Sequence, residues 1–213
     1  IERAMLFGMR AQTNSINYTD GIVGHIIANS QSELADEATV SYTEDKAYLK
    51  TIQAANWTYD DILSDLEVIF DPARGGTSAK LALASLPVIS QFNKMGNNSF
   101  VDASTASTQA AYNFERSQGS FGHRVMKIET VHGDISLVKE PLFRGQSAGF
   151  LALVDLDHVS YRPLVGNGIN RDTSIQTNVQ SADEDLRKDM ILTEAGLEVS
   201  LPETHALIHL QGV

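Results

Sequence analysis

The sequence predicts an α+β fold in which helical segments come early and strands come late. Three observations carry this expectation. Between Thr58 and Phe70 the apolar residues Ile62, Leu63, Leu66, Ile69 and Phe70 recur at helical spacing and form one stripe. From Val125 onward, short apolar runs alternate with glycine- and asparagine-rich turn text, which is strand patterning. Between these regions an apolar strand-like run, Lys80 to Ala84, passes directly into a helix start at Ser85-Leu86-Pro87.

The elements follow in order. Ile1 to Met9 reads as the end of a helix, because Ala4, Met5, Leu6 and Met9 are good helix formers. Gln12 to Gly24 is polar and glycine-containing and reads as a loop, with Ile22 to Ala28 as a short strand on its β-branched content. Thr43 to Ala55 reads as a helix with Ala47, Leu49 and Ile52 inward. Thr58 caps the clearer helix that follows. Its hydroxyl can accept from a free backbone N–H, and Asp61 stands three residues on as the return half of a capping box. Asp71-Pro72 and Gly75-Gly76 close that helix.

Lys80 to Ala84 is a buried strand, Ser85 an N-cap, and Pro87 sits in the first turn, where a missing N–H does no harm. Leu81, Leu83, Val88, Ile89 and Phe92 are the expected core of this unit, and Gly96 is placed to end its helix. Asn97 to Gln118, rich in Ser, Thr, Ala and Asn, reads as a surface loop. Val125, Ile128 and Val131 then begin a strand-rich half, in a run that ends at Val131. His132-Gly133-Asp134 turns the chain into the next run at Ile135. Leu151 to Val154 and Val159 to Leu164 are further strands, Gly166-Asn167-Gly168 is a turn, Leu186 to Ser200 is one long segment, and Thr204 to Leu210 is the final strand.

Composition narrows the function. The 213 residues carry 16 basic and 27 acidic side chains, a formal net charge of −11. Nucleic-acid affinity comes mostly from Lys and Arg neutralising phosphates, so the charge balance speaks against a dedicated binder. The competing view is a local basic face, for instance one containing Arg116, Arg124 and Lys127, which straddle Gly119 and Gly122. There is no cysteine, hence no disulfide and no thiolate metal ligand. No apolar run approaches the roughly 20 residues that cross a bilayer, and no signal peptide stands at Ile1.

Catalytic motifs are mostly missing: there is no HExxH and no phosphate-binding loop of the GxxxxGK[ST] kind. Gly75-Gly76-Thr77-Ser78 before Lys80 lacks the required spacing and reads as a plain loop. Asp155, Asp157 and His158 are the best metal candidates, since carboxylates two apart share a strand face and the imidazole stands beside them. The competing reading is a turn in which Asp bonds local backbone. None of His25, His123, His132, His158, His205 and His209 has a neighbour that marks a nucleophile–base pair, although His205 and His209 share a strand face. Asp183-Glu184-Asp185 followed by Arg187-Lys188 is either a solvated loop or a bipolar subunit contact. No residue is assigned to catalysis, to a cofactor or to a metal.

A resemblance runs along nearly the whole chain. Its points are Glu2-Arg3-Ala4-Met5-Leu6-Phe7-Gly8, Gly21-Ile22-Val23-Gly24, Gly75-Gly76-Thr77-Ser78-Ala79-Lys80-Leu81-Ala82, His132-Gly133-Asp134-Ile135-Ser136-Leu137-Val138, Asp155-Leu156-Asp157-His158-Val159, Thr193-Glu194-Ala195-Gly196-Leu197-Glu198-Val199 and Pro202-Glu203-Thr204-His205-Ala206. In this order and spacing the string resembles major capsid proteins of tailed phages in the HK97-fold class, in the branch of the SU10-type major head proteins.

The resemblance implies an axial domain and a peripheral domain. Residues 1–42 would be the end of the spine helix with the following loop and strand, 43–120 mainly axial domain, and 121–213 a strand-rich return through both. The N-terminal arm, the extended E-loop and most of the spine helix would be absent from this chain. It further implies a structural subunit, not an enzyme, that self-assembles into the icosahedral head of a tailed double-stranded DNA phage. The partners would be other copies in hexameric and pentameric capsomers, with portal, scaffolding and decoration proteins. Packaged DNA would be enclosed with weak, non-specific contact. No cofactor and no membrane would be involved, and the location would be the virion, assembled in the host cytoplasm. Two other readings stand beside it. One is an encapsulin-like compartment shell, and the other is a metal-dependent hydrolase using Asp155, Asp157 and His158.

Overall fold

Leu151, Ala152, Leu153 and Val154 are consecutive and all buried, which requires a strand covered on both faces. The computed structural model describes residues 2–13, 16–30, 46–101, 114–118, 124–166, 169–181, 183 and 185–213. In chain order these form α1 (Glu2–Phe7), β1 (Ala11–Thr13), β2 (Ile16–Tyr18), α2 (Ile22–Asn29), β3 (Tyr48–Gln53), α3 (Tyr59–Ile69), β4 (Ala79–Ala84) and α4 (Leu86–Val101). Then come β5 (Phe114–Gln118), β6 (Arg124–Glu129), β7 (Asp134–Lys139), β8 (Phe150–Val154), β9 (Val159–Pro163), β10 (Val165–Gly166), β11 (Ile169–Asn170), β12 (Ser174–Gln176), β13 (Met190–Leu192), β14 (Ala195–Val199) and β15 (Ala206–Gln211). The class is mixed α+β, with the described α-helices all before residue 102.

The centre is a seven-stranded sheet in the order β3-β15-β8-β4-β7-β6-β5. β15 lies parallel to β3 and antiparallel to β8, and β4 lies parallel to β7 and antiparallel to β8. One face carries Ala82, Ala84, Leu151, Leu153, Ile208 and Leu210, and α3 and α4 cover it through Ile62, Leu66, Ile69, Val88 and Phe92. Trp57 meets Phe92 edge-to-face there, at 5.1 Å between ring centroids. The other face carries Leu49, Ala152, Val154 and Leu207, covered by Leu6 of α1 and Ile22, Val23 and Ile26 of α2. Strands from 43–120 (β3, β4, β5) and from 121–213 (β6, β7, β8, β15) share this one sheet.

Local chemistry explains the element ends. The Thr58 capping box forms in both directions: the Thr58 hydroxyl accepts from Asp61 N–H, and the Asp61 carboxylate accepts from Thr58 N–H at 2.9 Å. Ser85 Oγ accepts from Val88 N–H at 3.4 Å at the start of α4. Asp71 accepts from Ala73 N–H in the 3-10 turn Pro72–Arg74 that closes α3.

Several expectations are corrected. Residues 22–28 are helical, because Ile22/Ile26 and Val23/Ile27 repeat at i, i+4 and lay a stripe on the sheet. Gly21 and Gly24 let α2 approach α1: a Cβ on Gly21 would stand 2.5 Å from the Leu6 carbonyl carbon, and one on Gly24 2.8 Å from Gly8 O. The stretch read as a helix over 43–55 contains β3 instead. Tyr48 and Leu49 are buried on opposite faces, so the strand shows no polar alternation. Gly96 lies inside α4, which runs on to Val101. Of the loop expected over 97–118, residues 102–113 lie outside the described residues, and Phe114–Gln118 is edge strand β5.

Val131 stands in the bend between β6 and β7 and is 97% exposed. Leu81 and Leu83 are only half-buried, while Lys80, Ala82 and Ala84, which alternate with them, are buried. The segment 186–200 is two strands, β13 and β14, and the last strand begins at Ala206 after a 3-10 turn, Pro202–Thr204. Of the turn expected at Gly166-Asn167-Gly168, residues 167–168 lie outside the described residues.

Candidate functional site

A lysine in an apolar strand needs a counter-charge, because an isolated buried ammonium is strongly disfavoured. Lys80 of β4 is buried, and its Nζ donates to Asp155 Oδ2 at 3.3 Å and to Thr204 O at 2.8 Å. Asp155 directly follows β8. Its Oδ2 also accepts from Thr77 N–H at 2.7 Å and from the Thr77 hydroxyl at 3.0 Å. His205 precedes β15, and its Nδ1 accepts from Asp155 N–H at 3.1 Å.

Burial pushes the Asp155 carboxyl up, but Thr77 N–H and the Lys80 charge outweigh it and hold it below its usual range. Burial lowers Lys80, against the opposing pull of Asp155. Burial, with Lys80 nearby, pushes His205 down to about 4, so its imidazole is neutral and free to accept. Gly76 is required beside this cluster, since a Cβ there would stand 2.9 Å from Lys80 Nζ and 3.3 Å from Asp155 Oδ2.

Asp155 and Thr204–His205 are the two points at which the chain leaves and re-enters the central sheet. Between them it builds a projection. β9 pairs antiparallel with β14 over Val159–Pro163 and Ala195–Val199. This root half lies on the body, with Val159, Leu197 and Val199 against the second core cluster and Leu197 N–H donating to Thr19 Oγ1. Beyond it, Leu164 N–H donates to Glu194 O and Glu194 N–H to Arg171 O, so the ladder continues past a short β10–β11 spur into β12 and β13.

Among the described residues the outer half has no apolar cover. Leu164, Val165, Ile175, Val179, Leu186, Met190 and Ile191 are all exposed. Ile175 and Ile191 face each other across β12–β13 at 70% and 71% exposure. A two-stranded ribbon is marginal alone in water, and apolar residues gathered at its outer end mark a contact surface. Three ion pairs lie within the projection: Arg162 with Glu198 at its root, and Arg171 with Glu194 and Arg187 with Asp189 beyond it.

The structure separates the residues singled out from sequence. Asp155 is buried in the lock described above, while Asp157 is exposed on a 3-10 turn whose cap is Asp155 Oδ1, 3.2 Å from Asp157 N. His158 lies beside Ser200 instead, at 3.4 Å. Among the described residues no group of three or more His, Asp or Glu side chains converges as metal ligands would. His209 packs edge-on against Phe150, at 5.0 Å between ring centroids, and His205 belongs to the lock. His123 lies outside the described residues.

Of the expected basic face, the register pairs Arg116 with Met126 and Lys127 with Glu115. Lys127 is therefore out of phase with Arg116 and Arg124, and it pairs with Glu129 at 2.7 Å and Asp134 at 3.0 Å. Asp183, Asp185, Arg187 and Lys188 are exposed at the outer end of the projection.

Sequence reasoning passed over the Lys80 lock and the uncovered ribbon. A lysine inside Ala79–Ala84 and an aspartate closing the apolar run Leu151–Val154 were the signals for the first. The second was signalled by the absence of charge from Thr173 to Ala182. No helix among the described residues is long and apolar enough to cross a membrane. A comparison with curated proteins finds no match. A family model described as SU10 major capsid protein matches residues 1–211.

Proposed function

The chain belongs to the SU10 major capsid protein family, and from that premise we propose that it is the self-assembling shell subunit of a tailed double-stranded DNA phage head. The observation that carries the reading is the family match over residues 1–211. The projection between Asp155 and Thr204 supports it, because an uncovered apolar ribbon suits a subunit whose neighbours complete it. The fold is then HK97-like, with the described central sheet in the axial domain. The role is structural, in hexameric and pentameric capsomers around a portal vertex, with scaffolding and decoration proteins as further partners and assembly in the host cytoplasm. The acidic balance of −11 suits a wall that does not grip its packaged DNA.

Electron microscopy and sedimentation of the expressed full-length protein test this. Closed shells or five- and six-membered rings are the expected species. Monomer alone, at concentrations well above those in an infected cell, overturns the reading. Particles that enclose protein cargo and never DNA point to a cellular compartment shell instead.

A further inference from the structure

We propose that the outer edge of β12 pairs with β12 of a second copy of the chain about a two-fold axis, making one antiparallel sheet in the order β13-β12-β12-β13. The inference deepens the shell-subunit reading and rests on it for the choice of a second copy as partner.

Four observations carry it. Among the described residues β12 is paired with β13 alone, so its outer row of N–H and C=O groups is open. Every residue from Thr173 to Val179 is exposed. The ten residues from Thr173 to Ala182 carry no charge. Soluble proteins ordinarily guard an exposed edge with charged residues or proline, and this edge has neither. β12 has Arg171 and Asp172 before it but no charge after it until Asp183, whereas β13 has Arg187, Lys188 and Asp189 directly before it and Glu194 after it.

Charge also selects this edge for self-contact. Two copies that each carry −11 repel, so they meet most readily where neither bears charge. A two-fold axis perpendicular to a sheet keeps each residue on its own face, so the axis must pass through a residue that meets its own copy. Centred on Ile175, Asp172 falls opposite Asn178 and Arg171 opposite Val179, so no charge meets its own kind. The same holds one residue either way. That register also joins the Ile175–Ile191 pairs of both copies into one apolar strip on one face. Backbone pairing of this kind supplies affinity through main-chain hydrogen bonds, and the side chains supply register.

The chain has no cysteine, so single cysteines report the pairing directly. Each residue from Thr173 to Thr177 is replaced in turn, with Ile191→Cys and Val131→Cys as exposed controls, and the full-length protein is mildly oxidised. A disulfide needs Cα atoms about 4.4–6.8 Å apart, which only the residue on the axis satisfies. One position within 173–177 is expected to give about ten-fold more covalent dimer than its neighbours, and the controls almost none. A flat, low yield across the five positions overturns the pairing, as does a dimer through Ile191 alone. Wild-type protein is imaged in parallel. Shells without a cross-linking maximum remove the β12 edge and leave the shell reading, whereas a maximum in a protein that never passes the dimer keeps the edge and removes the shell.

Discussion

At the residue scale, the polar cluster under the projection has calculable consequences. An unfolded histidine titrates near 6.5, while His205 in the fold is held at about 4. Below 6.5 the unfolded chain binds the extra proton and the folded chain does not. Stability is therefore full above about pH 6.5 and falls as pH drops toward 4, by on the order of 3 kcal/mol. Lys80, Asp155 and His158 face this imidazole and set its electrostatics. Chemical denaturation from pH 7.5 to 4 should show the loss, and His205→Asn, which keeps an acceptor but cannot titrate, should flatten it. A pH profile unchanged by that substitution would assign the acid sensitivity elsewhere.

The Lys80–Asp155 pair makes a second residue-scale prediction. Lys80→Met leaves a buried carboxylate short of a partner and should cost about 3–5 kcal/mol. Asp155→Asn in the same chain should recover part of that loss, because the uncompensated charge is gone. Additive effects would refute a direct coupling. Lys80 was visible in the sequence as a charge among small apolar residues, but its partner was not. The two are 75 residues apart, and only the antiparallel register of β4 and β8 brings them together.

At the element scale, α4 is the clearest test of the core. Phe92 is buried against Trp57 and the sheet face, so Phe92→Ala should destabilise the fold by about 3–5 kcal/mol, read as a shifted denaturation midpoint with reduced particle yield. An unaltered midpoint would mean that α4 does not cover this face. Elements with a cap and one buried face, such as α3, were legible because periodicity and capping chemistry agree. β3 was not, since Tyr48 and Leu49 are buried on opposite sides and leave no alternation to read. α2 was misread for a related reason. Its isoleucines and valine favour strands locally, and packing on the sheet face overrides that preference. The uncovered ribbon was invisible as a surface because strand patterning does not say which runs find a partner within their own chain.

On the scale of the whole molecule, charge governs what the subunit can touch. Lys127 is satisfied by Glu129 and Asp134, and it stands out of phase with Arg116 and Arg124. Binding to duplex DNA should then stay near the non-specific range, roughly 10⁻⁴ M or weaker at physiological salt. Fluorescence anisotropy with a labelled duplex at two salt concentrations checks it. A submicromolar dissociation constant that collapses with added salt would replace the passive wall with an active DNA-binding face.

The position of β15 bears on when such a subunit becomes competent. Residues 206–211 come last among the described strands, yet they lie inside the sheet, between β3 and β8. While synthesis is in progress β3 has no neighbour, and Lys80 has no Thr204 carbonyl to hold. Contacts between distant parts of a chain close slowly, because loop entropy is spent before they form. A nascent chain therefore leaves the β3 side of its sheet unfinished until residues 206–211 have left the ribosome. The return end of the projection is tied into the sheet only then, so synthesis itself sets the clock for encounters between copies.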